Sequence, residues 1–347
     1  MKIIKGLLWA ALALSICVGF ALFYLLQPAG KVEQFAAWQY QSNHPTTSNN
    51  TTSETTNIGL KVHYFGVSTL LFDDGDSQIL IDGFFSRPSL SQVMFSRLQS
   101  QPDLLNSLIQ QHQLQRTRAI LVTHSHYDHS LDLPFLAQQL QHSQIIGSNS
   151  SLNIARAAKI PETRLSHVNP VQPFQIGKFK ITAIPSQHTP ATAVNNDLGE
   201  QITHPLHLPA RFYEFKEGGS FDYYIQHPEQ NILVKASTGA IPKQLQHLQV
   251  NTLFLGIAQL SKQSTTFQQQ YLNETLGTLQ PSVVIPIHWD NFFLPLSQTL
   301  QFLPRIADHG PRSMQSLIEY AESQNTQVIL LDTTTPYPLR QKLHPAS

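Results

Sequence analysis

Three histidines and an aspartate lie within six residues in the stretch HSHYDH, which runs from His124 to His129. His124 and His126 are two residues apart, so on an extended chain their side chains point the same way and can share one metal ion. Asp128 and His129 follow where the chain turns, so they can face a second position close by. Nitrogen and oxygen ligands without sulfur suit zinc, manganese or iron. The stretch therefore predicts a site for one or two metal ions.

Two more histidines occupy similar places in the sequence. His188 closes ITAIPSQH and His288 closes VVIPIH, so each follows a strand-like run, as HSHYDH follows the apolar run 119–122. The alternative for each is a structural or exposed loop histidine. Three strand ends that each deliver imidazoles are a rarer pattern than richness in histidine. This pattern favours convergence of the three segments on a common metal site.

The composition limits the class of protein. The chain has 347 residues, of which 41% are hydrophobic, so a large core is possible. The formal net charge is zero, which argues against nucleic acid as a partner because phosphates call for a basic face. The single cysteine, Cys17, excludes an intrachain disulfide and a thiolate metal cluster.

The N-terminus reads as a membrane segment. An uncharged apolar run of about 20 residues, 6–26, is long enough for a helix to cross a bilayer. Lys2 and Lys5 precede it and are expected to stay cytoplasmic, which places the rest of the chain on the non-cytoplasmic side, the periplasm in a Gram-negative bacterium. The residues after the run, 27–29, form a weak cleavage site. We therefore expect an uncleaved signal anchor rather than a removed signal peptide.

Three parts follow from this pattern. Residues 1–30 are predicted as the signal anchor and residues 31–58 as a polar tether, because SNHPTTSNNTTSETTN (42–57) has no apolar period. Residues 59–340 are predicted as one domain in which strands and helices alternate, with a sheet-rich core and helices outside. The irregular segment 189–217, just after His188, is either a lid or a surface loop.

The positions of the predicted elements follow from apolar periodicity. The strand-like runs are 60–65, 68–72, 78–82, 119–123, 144–148, 178–185, 221–227, 231–237, 251–258, 282–288 and 326–332. The helical runs are 103–114, 131–140, 149–158, 265–279 and 312–324.

These motifs resemble the metallo-β-lactamase-fold hydrolase superfamily. The resemblance lies in H-x-H-x-D-H after a strand, a lone histidine after a strand, the late IPIH, and the opening YFGVSTLLFDDGDSQILIDGFFSRP. It covers most of the chain from Leu60 onward and implies an αββα sandwich with the site along one edge, preceded here by a single transmembrane helix. Within the superfamily, HSHYDH followed by Leu131-Asp132 is most similar to members like N-acyl-phosphatidylethanolamine phospholipase D, with ascorbate-phosphate lactonase-like members also near.

The resemblance also implies roles for individual residues. His124, His126 and His188 correspond to the ligands of a first metal ion, and Asp128, His129 and His288 to those of a second. Asp82, which ends ILID, corresponds to the acidic residue that steadies the ligand loop from behind.

The sequence departs from the superfamily's pattern at one position. In KASTGA, Ser237 stands where an aspartate usually bridges both metal ions. A serine hydroxyl is a poor ligand at neutral pH, so the second ion is expected to bind weakly or the site to work with one. Asp290, two residues past His288, is a candidate for the missing carboxylate. Its alternatives are support of a ligand from behind and a surface position.

The predicted function is hydrolysis by a metal-activated water. Zinc is the expected metal, with manganese or iron as alternatives, and Asp128 is the candidate to orient or deprotonate the water. The expected substrate is an ester, lactone, amide or phosphodiester in a small molecule or a lipid. Two alternatives remain open, namely an iron-dependent oxidoreductase of the same fold and a metal-binding module without turnover.

Overall fold

Two sheets of seven strands each form the centre of the part of the chain that the structure describes. The structure is a computed structural model and describes residues 2–41, 59–170, 172–192 and 196–339. The strands are β1 Lys61–Tyr64, β2 Leu70–Asp73, β3 Gln78–Ile81, β4 Thr117–Leu121, β5 Gln144–Gly147, β6 Leu165–His167, β7 Phe174–Ile176, β8 Phe179–Pro185, β9 Phe221–His227, β10 Gln230–Lys235, β11 Thr252–Gly256, β12 Val283–Ile287, β13 Gln327–Val328 and β14 Tyr337–Pro338.

One helix precedes the two sheets in the chain, and the other helices alternate with the strands and cover the outer faces of the sheets. They are α1 Lys2–Leu26, α2 Leu90–Phe95, α3 Pro102–Gln111, α4 Tyr127–Ser130, α5 Leu133–Gln139, α6 Asn149–Ala157, α7 Thr265–Leu272 and α8 Gly310–Ser323. Short 3-10 turns span Val32–Trp38, Leu114–Arg116, Glu162–Arg164, Phe212–Glu214 and Leu260–Lys262, and a π turn, Asn273–Gly277, extends α7. The predicted αββα sandwich is therefore confirmed.

The strand order gives both sheets the same plan. The first sheet runs β14-β1-β2-β3-β4-β5-β6 and the second β13-β12-β11-β10-β9-β8-β7. In each sheet, antiparallel hairpins lead into parallel strands, which are β3 to β6 in the first sheet and β10 to β13 in the second. Because β8 and β10 both run antiparallel to β9, β8 points the same way as β10, β11 and β12. The chain therefore leaves β8, β10 and β12 at one edge of the second sheet.

Apolar side chains fill the space between the sheets and the space under the outer helices. Between the sheets, the rings of Phe72 on β2 and Phe254 on β11 meet edge to face with centroids 5.6 Å apart. On the other face of the first sheet, Ile120 and Val122 pack with Leu105 and Leu133 from the helices. Each such fully buried side chain stabilises the fold by about 1.5–3 kcal/mol. These two layers fix the strand ends that carry the candidate ligands.

Residues 32–40 belong to the folded part of the chain rather than to a tether. Val32 and Phe35 are buried, and the Phe35 ring lies 5.8 Å from that of Phe302. The Tyr40 amide donates to the Leu330 carbonyl, and the Leu330 amide donates to the Trp38 carbonyl. The apolar residues of VEQFAAW, spaced three apart, explain why this stretch packs. The remainder of the predicted tether, 42–58, lies outside the described residues.

The N-terminal helix α1 is exposed from Leu7 to Leu26. Its span Leu7–Leu26 has a mean hydropathy of 2.2, and none of it is buried. By length and composition this helix is able to cross a membrane. A signal sequence has the same length and composition, so these two properties do not separate an anchor from a signal sequence.

The irregular segment after His188 is fastened to the domain where it is described. The Ile202 amide donates to the Ser150 hydroxyl, and the Asn153 side chain donates to the Ile202 carbonyl at 2.6 Å, so the segment runs along α6. Ala210 exchanges backbone hydrogen bonds with Leu98. Residues 193–195 lie outside the described residues. We call 196–220 the strap from here on.

Candidate metal centre

Four chain segments reach the edge of the sandwich where the candidate ligands meet. The extended stretch after β4 carries His124 and His126, and α4 then turns Asp128 and His129 toward the same space. The loop after β8 carries His188, and the turn after β12 carries His288. The structure thus brings together all six residues that the sequence predicted as metal ligands.

His124, His126 and His188, here called the His124 trio, form one group. Each offers a ligand atom within 4.8 Å of those of the other two. The His188 ring lies 4.7 Å from that of His124 and 4.9 Å from that of His126. The Nδ1 atom of His188 lies 3.0 Å from the Thr189 carbonyl oxygen, to which it can donate. With Nδ1 bonded to that carbonyl, Nε2 is the candidate ligand atom of His188.

Asp128, His129 and His288, here called the Asp128 trio, form the second group. The two Nε2 atoms of His129 and His288 are 3.3 Å apart, and Asp128 Oδ2 is 3.7 Å and 3.4 Å from them respectively. Ligands held tetrahedrally at 2.0–2.1 Å from one zinc ion are about 3.3 Å from each other. The spacing of these three atoms therefore fits one ion between them.

A buried carboxylate orients His129 from behind. Asp82 Oδ2 lies 2.8 Å from His129 Nδ1, and Asp82 also accepts the Thr123 amide at 2.7 Å and the Ser68 hydroxyl at 2.5 Å. With Nδ1 bonded to the carboxylate, His129 presents Nε2 to the trio. Asp82 thus lies behind a candidate ligand, and the supporting role that the resemblance implies for it stays a prediction.

The backbone is strained at two of these positions. Asp82 and His288 both have φ of 56°, in the left-handed region that non-glycine residues rarely adopt. The His288 amide donates to the Val67 carbonyl at 2.7 Å, which helps to hold the turn. Strained non-glycine residues of this kind cost about 1–3 kcal/mol each and concentrate at functional sites.

Two of the buried imidazoles, those of His124 and His188, stay neutral, and the Asp128 carboxylate stays charged. Burial lowers the pKa of His288, but the contact with Asp128 outweighs it and that pKa is raised. Burial, with the neighbouring His129, keeps the pKa of His124 well below its usual value, and its Nε2 atom is buried with no hydrogen-bond partner in the described residues. Burial, with His126, lowers the pKa of His188 to about 3. Burial alone raises the pKa of Asp128, but His129 and His288 outweigh it and leave that pKa far below its ordinary value. Neutral nitrogen and ionised oxygen donors are what a divalent cation requires.

Ser237 lies in a turn that packs against His188. A side chain on Gly239 would come within 2.6 Å of the His188 carbonyl oxygen, and the Thr238 amide donates to the Thr189 hydroxyl. Ser237 itself is buried. The structure thus places the serine beside the loop of the His124 trio, where the superfamily pattern would have an aspartate.

Asp290 does not face the trios. Its Oδ2 accepts the Arg87 guanidinium at 2.6 Å, and its Oδ1 accepts the Val67 amide at 2.7 Å and the Tyr64 hydroxyl at 3.1 Å. Arg87 and Asp290 are both almost fully buried. Gly66 is needed in this turn, because its φ is 83° and a side chain there would collide with Arg87. Asp290 supports the turn that receives the His288 amide and does not supply the carboxylate missing at Ser237.

Asp197 is a further residue of the site that no sequence motif predicted. Its carboxylate oxygens lie 3.1 Å and 3.3 Å from His126 Nε2, and its Oδ2 accepts the Glu217 amide at 3.1 Å. Burial raises the pKa of Asp197, but the contact with His126 outweighs it and the pKa is lowered. The only sequence signal was that Asp197 lies in the irregular segment after His188.

Aromatic rings stand beside the Asp128 trio. The Phe292 ring lies 5.9 Å from that of His288 and 6.5 Å from that of Tyr127. The Phe293 ring is tilted by 45° against that of Phe292 with centroids 4.6 Å apart, and the Tyr127 ring meets that of Phe84 at 6.1 Å. Phe84 is fully buried, whereas Phe292 and Phe293 are half-buried. We call Tyr127, Phe292 and Phe293 the aromatic wall.

Comparison with known proteins identifies the family. The model of the beta-lactamase superfamily domain matches residues 77–289, which is more than half of the chain and includes all six candidate ligands. A search of curated protein sequences found no significant match.

Solved structures share the fold at low sequence identity. Igni18, a metallo hydrolase from Ignicoccus hospitalis, is 14% identical over 80% of this chain and 97% of its own, with a TM-score of 0.49. YhfI, a metallo-beta-lactamase fold protein from Bacillus subtilis, is 15% identical over 80% of this chain and 98% of its own, with a TM-score of 0.49. A mutant of CmlA, a diiron beta-hydroxylase from Streptomyces venezuelae, is 13% identical over 84% of this chain and 55% of its own, with a TM-score of 0.51.

The chain belongs to the beta-lactamase superfamily. This confirms the family that the motifs predicted, whereas the narrower resemblance to phospholipase D-like and lactonase-like members stays a prediction.

Proposed function

We propose that this member of the beta-lactamase superfamily is a metal-dependent hydrolase. The observation that carries the proposal is the convergence of two three-residue groups, the His124 trio and the Asp128 trio, at one edge of the sandwich. A divalent ion such as zinc, when bound there, lowers the pKa of a water toward about 7 and polarises the substrate oxygen. Manganese and iron suit the same nitrogen and oxygen donors.

The side chains around the trios have distinct tasks in this proposal. Asp128 is ionised, lies between His129 and His288 and keeps 13% of its side chain exposed, so it is placed to orient the attacking water and to accept its proton. Asp82 fixes the ring of His129, and the strained turn at His288 fixes the opposite side. The chain itself therefore holds the reacting groups in place before a substrate arrives.

The aromatic wall suggests a substrate with an apolar part. Tyr127, Phe292 and Phe293 present rings beside the Asp128 trio, where they can pack on an acyl chain or an aryl group. The scissile bond would be an ester, lactone, amide or phosphodiester in a small molecule or a lipid-derived compound. We further propose that α1 anchors the domain to a membrane on the non-cytoplasmic side, with Lys2 and Lys5 in the cytoplasm.

The experiment that tests the proposal uses the full-length protein in detergent. Its metal content is measured first, and hydrolysis of aryl esters, lactones and a bis-aryl phosphodiester is then assayed before and after chelation. Turnover should return with added zinc or manganese and should be abolished in His126→Ala. The matched control is His142→Ala, because His142 is exposed and lies outside both trios.

The same experiment separates two other functions. Tight metal binding without turnover of any substrate class would indicate a binding module instead. Iron as the metal of the purified protein, with oxygen consumption and no hydrolysis, would indicate an oxidoreductase.

A further inference from the structure

The C-terminal end of α1 is built into the domain. The Arg305 amide donates to the Gln27 carbonyl and the Ile306 amide donates to the Leu25 carbonyl, each at 3.0 Å. The Arg305 guanidinium donates to the Tyr24 and Gln27 carbonyls and lies 4.3 Å above the Tyr24 ring. A helix leaves its last carbonyls without partners and favours a cation at that end, and Arg305 meets both needs.

The chain stays attached to the domain after this helix end. Pro28 pairs with Pro304, and Phe35 packs on Phe302. The peptide bonds around residues 27–29, where a signal peptidase would have to cut, therefore lie in a paired segment. If α1 were cleaved off as a signal peptide, these contacts between its last turn and the domain would be lost.

We propose that α1 is retained as a rigid mount and that the loop 304–306 is held against the bilayer surface. The inference rests on the proposed membrane crossing of α1. If the helix spans the bilayer, then the residues bonded to its last turn lie at the depth of the headgroups. Ile306 is 55% exposed there and Tyr24 is 60% exposed. An apolar side chain, a tyrosine ring and an arginine suit the interface between lipid and water.

The mount also fixes how the metal centre faces the membrane. The segment 288–306 begins at His288, carries Phe292 and Phe293 of the aromatic wall, and ends at the cap of α1. Both ends of this segment are fastened, one by the Val67 carbonyl and the other by the last turn of α1, so it ties the metal centre to the end of the helix.

The test labels Ile306→Cys in a Cys17→Ala background with an environment-sensitive fluorophore, using full-length protein in vesicles. The control is His142→Cys, an exposed position in the turn before β5. We expect a blue-shifted emission and strong quenching by lipids that carry a quencher near the headgroup at residue 306, and neither at residue 142. Equal quenching at both positions, with the intact mass showing that α1 is present, would overturn the mount. An intact mass that matches a chain starting near residue 29 would overturn the claim that α1 is retained. Neither outcome bears on hydrolysis, which is assayed separately.

A second inference concerns Asp197, and a different set of contacts carries it. Asp197 is placed by the Glu217 amide, and the Glu217 side chain is placed by the Gly199 and Gly219 amides at 3.1 Å and the Ser220 hydroxyl at 2.6 Å. The Glu217 carbonyl in turn accepts the Ser125 amide at 3.0 Å, next to the ligand itself. The strap and the ligand loop therefore form one hydrogen-bonded unit.

We infer that Asp197 is a positioning residue for His126. Its carboxylate occupies Nε2 and so leaves Nδ1 as the nitrogen of His126 for a metal. Such outer partners are worth about 10–100-fold in metal affinity.

The test measures metal affinity by chelator competition in Asp197→Ala and Asp197→Asn, with Asp197→Glu as the conservative variant. We expect 10–100-fold weaker binding in the alanine variant, partial recovery in the glutamate variant, and an altered visible spectrum of the cobalt form. The control is Glu200→Gln, since Glu200 lies in the same strap and pairs with Lys216. Unchanged affinity in Asp197→Ala, with its unfolding midpoint equal to that of the control, would overturn the inference.

Discussion

Behind the Asp128 trio the supporting side chains are fully buried, whereas behind the His124 trio they lie in a strap near the surface. Asp82, which holds His129, has 0% of its side chain exposed, and Asp197, which lies against His126, has 15% exposed. The turn beside His288 is further held by the buried pair of Arg87 and Asp290.

This contrast bears on the serine at position 237. In a chain that lacks the bridging carboxylate, the other ligands of the second ion would be expected to be lost as well. Instead, the Asp128 trio keeps the spacing of a metal site and the more deeply buried support. The absence of one ligand therefore does not predict the loss of its neighbours. The two trios should respond to different substitutions, and four experiments break or sharpen this comparison.

The largest effect is expected from Arg87→Ala. It leaves Asp290 as an unpaired charge in the interior, and breaking a buried pair in this way costs about 3–5 kcal/mol of unfolding free energy. Urea unfolding of the metal-free protein measures it. The control is Arg97→Ala, whose exposed pair with Glu214 is worth about 0–1 kcal/mol. Equal losses in the two variants would show that the buried pair is not a special support.

The next effect is expected from Asp82→Asn. The asparagine side chain is uncharged, so it is a weaker hydrogen-bond acceptor for His129 than the carboxylate. The ion of the Asp128 trio should therefore bind about 10–100-fold more weakly. The metal content is measured after dialysis against a series of chelator concentrations, so that the loss of the weaker ion is seen before the loss of the tighter one. In Asp197→Asn the other ion should be the one that weakens. If both variants weaken the same ion, the division into two trios is wrong.

A gain is expected from Ser237→Asp. A carboxylate in that turn would neutralise charge between two cations, which should tighten the weaker ion by about tenfold or more. Ser237→Asn adds the same volume without the charge and is the matched control. Calorimetric titration of the metal-free variants measures the change. No tightening in the aspartate variant would mean that the turn does not reach the ions.

The smallest effect is a loss of stability at acid pH that comes from His63. It must be separated from the two trios because it does not involve their ligands. Burial, with His112 and Lys61, lowers the pKa of His63 from 6.5 to about 4, and His63 is not a candidate ligand. Because the folded pKa is the lower one, the unfolded chain binds the extra proton between these values. Stability from this group is therefore complete above pH 6.5 and is lost as the pH falls toward 4.

His63→Gln should make the unfolding free energy of the metal-free protein fall less steeply between pH 6.5 and 4. Urea unfolding at a series of pH values checks this, with exposed His142→Gln as the control. An unchanged slope would assign the acid sensitivity elsewhere.

The fold was predictable because its strands alternate or stay apolar between clear turns. All eleven predicted strand runs and five helical runs coincide with observed elements within a few residues. The short strands β6, β7 and β14 and the short helices α2 and α4 were missed, because two to six residues carry too little periodicity. Residues 32–40 were read as part of a polar tether, since the sequence beyond them is uniformly polar.

The candidate ligands were predictable because they follow strands, and parallel strands end at one edge. The groups behind them were not. His126 and Asp197 are 71 residues apart, and Arg87 and Asp290 are 203 residues apart. No local pattern marks which distant side chain will face a histidine, since the packing of whole elements decides it. Asp290 shows the limit, because its spacing from His288 suggested a ligand and its actual partner is Arg87.

The pairing of residues 38–40 with Leu330 sets the order in which the molecule can be completed. This stretch is synthesised among the first residues, yet its partner emerges about 290 residues later, and β1 likewise waits for β14. Contacts between such distant positions form late because the intervening chain must first be gathered in. A nascent chain halted before Leu330 therefore keeps an open sheet edge that can pair with another unfinished copy.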